Sequence, residues 1–124
     1  ARPPPSRSRR PRGSPVAGPT LAKASANRVV LGAVLESSQD IRFTPAGVPI
    51  LSASARHESE QVEAGRPRRV EFPVELVVVG DDARRFAAIG PGTRLQLAGF
   101  LAVRHRNSPV LVLHVTDFRK IQTD

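Results

Sequence analysis

The 124-residue chain contains no cysteine, no tryptophan and no tyrosine, and only five phenylalanines. Without cysteine there is no disulfide framework and no thiolate metal site. That fits a reducing cytoplasm, which is the expected location. No uninterrupted apolar run exceeds the length of Leu76–Val79. A membrane-spanning helix needs about 20 such residues, so no membrane partner is expected. A glycine-rich phosphate loop is also missing, because Gly90-Pro91-Gly92 is not followed by lysine and reads as a turn. The three histidines, His57, His105 and His114, are scattered and have no metal-ligand spacing. No serine, base and acid stand in a nucleophilic arrangement. The expectation is a protein with no catalytic residues, no metal, no cofactor and no enzymatic activity.

Charge is present but unevenly placed. Residues 1–26 hold Arg2, Arg7, Arg9, Arg10, Arg12 and Lys23 and no acid, which accounts for most of the net charge of +8. The rest of the chain holds 13 basic and 11 acidic groups and is close to balance. A nucleic-acid argument for the folded part must therefore rest on where its arginines lie. Six of the twelve prolines also fall in residues 1–26. With few large apolar groups to bury, that segment cannot offset its ordering entropy, and it is predicted to be a disordered tail. The plain reading is a solvated extension, or residues upstream of the natural start. A basic arm drawn to phosphates is the functional alternative. A secretory signal lacks its apolar stretch, and the prolines oppose the amphipathic helix of a transit peptide.

Residues 27–124 are predicted to form one domain of five strands with one short helix. The first strand is Arg28–Glu36, with Gly32 as the expected bend or bulge. Ile41–Thr44 resumes it, and Pro45-Ala46-Gly47 is a turn, because proline presets φ and glycine permits φ > 0. The second strand is Val48–His57, whose small residues Ser52 to Ala55 are read as tight barrel packing in preference to a ligand surface. Glu58–Pro67 reads as a loop. The third strand, Arg68–Val79, alternates cleanly from Val70 to Val78, and Pro73 belongs at an edge or a bulge. Val77 and Val79 break the alternation, which predicts that both faces are covered there. A helix capped by Asp81 or Asp82 begins at Ala83 and stops near Ile89, before Gly90-Pro91. Its Phe86 and Ile89 would plug the barrel, and its Arg84 and Arg85 would face water. The fourth strand is Thr93–Val103, the tip is Arg104–Pro109, and the fifth strand is Val110–Phe118. Strand, strand, strand, helix, strand, strand is the order of a small all-β Greek-key barrel, an architecture that commonly holds single-stranded nucleic acid.

Two arginine clusters then stand out. Arg66, Arg68 and Arg69 flank the connection between the second and third strands, and Arg104, His105 and Arg106 lie at the last hairpin tip. Loops at these places, with the outer face of the second and third strands, line the ligand groove of such barrels. Arginine suits the role, since its planar fork pairs with phosphate and stacks on bases. Arg42 and Phe43, before the second strand, complete the candidate set, with Phe43 as the plausible stacking ring. Phe72, Phe86 and Phe118 read as core, and Phe100 as either a stacking ring or part of a dimer seam. With so few aromatics, binding should be dominated by phosphate contacts and weaken steeply with salt.

Several motifs also resemble a known family. Asn27-Arg28-Val29-Val30-Leu31, Pro45-Ala46-Gly47-Val48-Pro49, His57-Glu58-Ser59, Glu63-Ala64-Gly65, Pro73-Val74, Gly99-Phe100 and Val112-Leu113-His114 are similar, in order and spacing, to primosomal replication protein N. Ile41 to Gly47 resembles its betaproteobacterial branch. The resemblance, from Asn27 to about Ile121, implies an oligonucleotide-binding (OB) fold and a homodimer that binds single-stranded DNA. It also implies binding to a restart helicase and cooperation with a helicase-loading factor in bacterial replication restart, without enzymatic activity. Arg42 matches a lysine of the enterobacterial members, Arg68 an arginine, and Arg104–Arg106 a lysine-bearing loop. Arg66 and Arg69 replace a stacking phenylalanine and tryptophan, and both hairpin loops are shorter. Two rival functions are a general single-strand-binding protein, which usually carries more groove aromatics and an acidic tail tip, and a protein–protein adaptor with weak DNA affinity.

Overall fold

The computed structural model describes residues 25–121, so the tail predicted over residues 1–26 lies almost wholly outside the described residues. Within them the order is β1 (Val29–Ser38), β2 (Arg42–Phe43), β3 (Pro49–Glu63), β4 (Arg66–Val79), α1 (Asp82–Ala87), β5 (Arg94–Val103) and β6 (Leu111–Lys120). Strand β2 is a short pairing of Arg42 with Ile50 and Phe43 with Pro49. It follows from the Pro45-Ala46-Gly47 turn, where Gly47 has φ +86°. The main sheet runs β1-β5-β6-β4-β3, and β1 also pairs with β3. Five strands thus close on themselves as the predicted Greek-key OB barrel. The loosest seam is the parallel pairing of β4 with β6, limited to Leu76 with Leu113 and Val77 with His114. Beyond it the outer edge of β4 has no partner strand among the described residues, which is where Pro73, lacking an N–H, is tolerated.

Period-two patterning fills the interior. Leu51, Ala53 and Ala55 of β3 meet Leu76 and Val78 of β4, Leu95 and Leu97 of β5, and Leu113 and Val115 of β6 in one core. Helix α1 closes an end of the barrel: Phe86 is fully buried and meets Phe118 edge-on, with ring centroids 4.9 Å apart. Asp81 holds the N-cap position, but its side chain makes no capping bond. Asn27 anchors the entry to the barrel, its amide donating to the Leu101 carbonyl at 2.9 Å and accepting from the Leu101 N–H at 3.0 Å. Truncating a central side chain should leave a cavity that this packing cannot collapse. For Leu97→Ala the expected loss is about 3 kcal/mol or more, read as a lower urea midpoint at unchanged m-value.

The structure corrects several expectations. Glu58–Pro67 is not a loop, because β3 runs on to Glu63 and β4 starts at Arg66. Only Ala64 and Gly65 turn the chain, both with positive φ (53° and 75°), a tight hairpin of the I′ type. The arm beyond the barrel has water on both sides, so its strands show no alternation. Phe72 is not core: it is 36% exposed, at the base of this arm, stacked on His57. Gly32 is no bulge and pairs regularly with Gln96. The irregularity falls between Leu35 and Ser37, just after β1 leaves β5 for β3, where the barrel turns its corner. Among the described residues Val77 is only half-buried and Val79 is exposed, so the outer face is not closed over there. Arg85 does more than face water, since it bonds Asp82 at 3.1 Å and lies over the Phe118 ring at 4.3 Å. A second bulge, between Ala98 and Gly99, buries both residues and ends the simple alternation of β5.

Candidate nucleic-acid interface

Strand pairing decides which side chains share the outer face. Ser52 pairs with Val77 and Ser54 with Glu75. While Ala53 and Ala55 turn into the core, Ser52 and Ser54 turn outward, so the small residues of β3 serve packing and groove alternately. The segment before β3 rises on one side and carries Arg42. The connection after β5 rises on the other and carries Arg104. Between them lies a groove of about 460 Å³, lined by Arg42, Ser52, Ser54, Glu75, Arg104 and His114 among others. Arg42 Nη1 donates to Ser52 Oγ at 3.1 Å, which holds the guanidinium over the floor. Arg104 Nη2 is bonded to Glu75 Oε2 inside the same groove.

The remaining candidates lie elsewhere. Arg66, Arg68 and Arg69 are on the β3–β4 arm and do not line the groove. From Arg69 to Glu75 along β4 is roughly 20 Å at strand rise. Arg68 pairs with Glu63 at 2.8 Å. Arg69 pairs with Glu71 at 2.6 Å and Glu58 at 3.3 Å. Arg56, missed in the sequence, joins this network through Glu71 at 2.9 Å. The Glu71 carboxyl is held below the ordinary carboxylate range, chiefly by the hydrogen bond from Arg69 and then by that from Arg56. The same Arg69–Glu71 bond raises the Arg69 pKa. Arg69 is therefore matched to an ionised acid at neutral pH. Arg66 and Arg106 make no ion pair among the described residues, and His105 and Arg106 are exposed on the loop after β5. Phe43 is 55% exposed, with Arg84 over its ring at 5.6 Å.

His57 is a satisfied structural residue, as a lone strand histidine usually is. Its Nδ1–H donates to the Gly32 carbonyl at 2.6 Å, and its Nε2 accepts from Ser59 Oγ at 2.7 Å. Among the described residues no group of three or more His, Asp or Glu side chains could hold a metal ion, and no helix is long and apolar enough to cross a membrane. The arginine clusters were visible as local runs. Their acid partners were not, because Glu75 is 29 residues from Arg104 and only the register brings them together.

A closed five-strand barrel with a basic-walled groove across its outer face is the architecture of an OB-fold single-strand-binding domain. Residues 27–117 match a family model described as "another single-strand binding protein family". Replication restart protein PriB of Bordetella pertussis is 42% identical over 95 residues, which is 77% of this chain and 89% of that protein. The solved structure of PriB from Ralstonia solanacearum matches with a TM-score of 0.74 at 36% identity, covering 79% of this chain and all of that one. A Plasmodium falciparum SSB, solved in complex with ssDNA, shares the fold at 14% identity (TM-score 0.64, covering 79% of this chain and 96% of that one). The chain belongs to the replication restart PriB family of single-strand-binding OB-fold proteins.

Proposed function

We propose that this protein binds single-stranded DNA in the groove between Arg42 and Arg104 and acts as an accessory factor of replication restart. It works as a homodimer in the bacterial cytoplasm, binds the restart helicase, helps a loading factor deliver the replicative helicase, and has no enzymatic activity of its own. The observation that carries the reading is the convergence of Arg42 and Arg104, from distant parts of the chain, on two walls of one groove with a floor of small hydroxyl side chains. Guanidinium groups at such walls suit a flexible polyanion, and the serine floor lets its backbone approach closely. Arg66, His105 and Arg106 offer further donors on the arm and the loop, Arg68 and Arg69 reach phosphate only by leaving Glu63, Glu58 and Glu71, and Phe43 offers a ring beside Arg42. The names borne by its relatives support the restart role.

The test is titration of a labelled oligothymidylate with the full chain at several salt concentrations, repeated after residues 1–24 are removed. Binding that survives the truncation and weakens linearly in log–log salt supports the groove. Absence of binding in the truncated protein favours the adaptor, a reading that the many acid-paired arginines also favour. Glu75 competes with phosphate for Arg104. Glu75→Gln should therefore raise oligonucleotide affinity several-fold and leave the salt slope nearly unchanged, because the number of phosphate contacts stays the same.

A further inference from the structure

We propose that the stacked pair Phe100–His114 is a base-stacking step that carries the single strand out of the Arg42–Arg104 groove and across the barrel. This deepens the reading given under Proposed function and rests on it. The pair is placed by register. Ser52 lies beside Val77, Val77 beside His114, and His114 beside Phe100, so one row crosses β3, β4, β6 and β5 from the groove floor to the ring. The Phe100 and His114 rings are 4.9 Å apart and inclined by only 10°. A second hollow of about 220 Å³, lined by Phe100, His114, Val77, Val79, Thr116 and the Arg85-paired Asp82 among others, adjoins the groove, and Val77 and His114 line both.

Elimination among the aromatic rings points the same way. Phe86 and Phe118 are buried. Phe72 stacks on the buried His57 at the base of the arm. Phe43, with Arg84 over its ring, lines neither hollow. Phe100 is 40% exposed and lies beside the groove on an apolar surface that the described residues leave uncovered. A ring stacked flat on its neighbour gives a planar step with few rotamers left to freeze. Bases of any sequence can stack on such a step, as they do on the tryptophans and tyrosines that this chain lacks. The guanidinium groups of Arg42 and Arg104 at the groove walls fix the polyanion whose bases reach the step.

The test uses the absence of Trp and Tyr. Phe100→Trp makes a sole fluorophore at the proposed step. Oligothymidylate should quench it strongly while affinity is kept. A Val30→Trp control, on a residue that lines neither hollow, should change little. Phe100→Ala and Phe100→Leu should each lower oligonucleotide affinity between about fivefold and about a hundredfold without altering the salt slope, because no phosphate contact is removed. If the full chain binds oligonucleotide through Arg42 and Arg104 but the Phe100→Trp emission is unchanged and both truncations bind normally, the stacking step is wrong and the groove stands. A Phe100→Leu protein that becomes monomeric in sedimentation overturns the step in favour of a seam between copies. One that keeps DNA affinity but loses helicase binding overturns it in favour of a protein contact. Failure of the unmodified chain to bind any oligonucleotide removes the groove and the step together.

Discussion

Gly99→Ala is expected to lower the melting temperature by about 20 °C or more, or to leave the chain unfolded. A methyl group built at Gly99 would stand 1.8 Å from the His114 carbonyl oxygen, 2.8 Å from its carbon and 3.2 Å from the Thr116 nitrogen. All three are backbone atoms, so no rotamer change relieves the clash, and β5 must separate from β6. The separation would fall at the bulge, between pairs that place Leu97 against Phe118 and Leu101 against Leu113. A cost of about 4 kcal/mol or more belongs with the large mutational effects that have a named steric cause. It is a large fraction of the ~5–15 kcal/mol that holds a domain folded. At about 4–8 °C per kcal/mol for a domain of this size, the shift in melting temperature follows. Gly32→Ala is the control, since its methyl would meet only the Leu95 carbonyl oxygen at 4.0 Å. That change should be neutral or slightly stabilising, because alanine lowers the entropy of the unfolded chain. Equal melting temperatures for the two variants would show that the β5–β6 bulge is not as tight as described.

Gly99 also shows where sequence reading reaches its limit. Leu95 and Leu97 alternate onto the core face of β5, and continuing that period would put Leu101 and Val103 on the same face, whereas the structure exposes them. The bulge breaks the period at Ala98, and nothing local marks it, because its cause is the extra residue in β6. Elements that face water on one side and the core on the other were legible: the barrel order, the Pro45-Ala46-Gly47 turn, and the plug made by Phe86 of the short helix and the buried Ile89 just beyond its end. The β3–β4 arm was not, since a ribbon wetted on both faces carries no hydrophobic period, and Ala64-Gly65 is a less obvious turn than asparagine-glycine. The same arm exposes Phe72, whose period-two position otherwise argued for core. In the candidate site, arginine identity was legible and arginine pairing was not. Arg68, Arg69 and Arg104 each meet an acid that register or hairpin geometry supplies. The two residues that share the groove, Arg42 and Arg104, come from separate segments of the chain.

The double variant Arg42→Ala, Arg104→Ala is expected to bind single-stranded oligonucleotide about fiftyfold more weakly at low salt, and the two arginines should not contribute equally. A hydrogen bond from guanidinium to phosphate contributes about 1.5 kcal/mol, or about tenfold. Arg42 gives up only its bond to the Ser52 hydroxyl when it turns to a phosphate, so most of that gain remains. Arg104 must first leave Glu75. Both members of that pair are nearly half exposed, 48% and 46%, so the pair is worth no more than about 1 kcal/mol. Exchange of carboxylate for phosphate then leaves Arg104 about a fivefold share. The salt slope separates direct phosphate binding from an indirect structural effect. Removing one guanidinium from the phosphates should flatten the log–log slope by about 0.7, and removing both by about 1.4. Arg68→Ala, on the arm and paired with Glu63, serves as the comparison; if the groove is the main track for the strand, it should move affinity and slope far less. A double variant with unchanged slope, or an Arg68→Ala variant as impaired as the double, would move the DNA path off the groove and onto the arm. In the triple variant that adds Glu75→Gln, the benefit of freeing Arg104 should vanish, because the group that Glu75 restrains is gone.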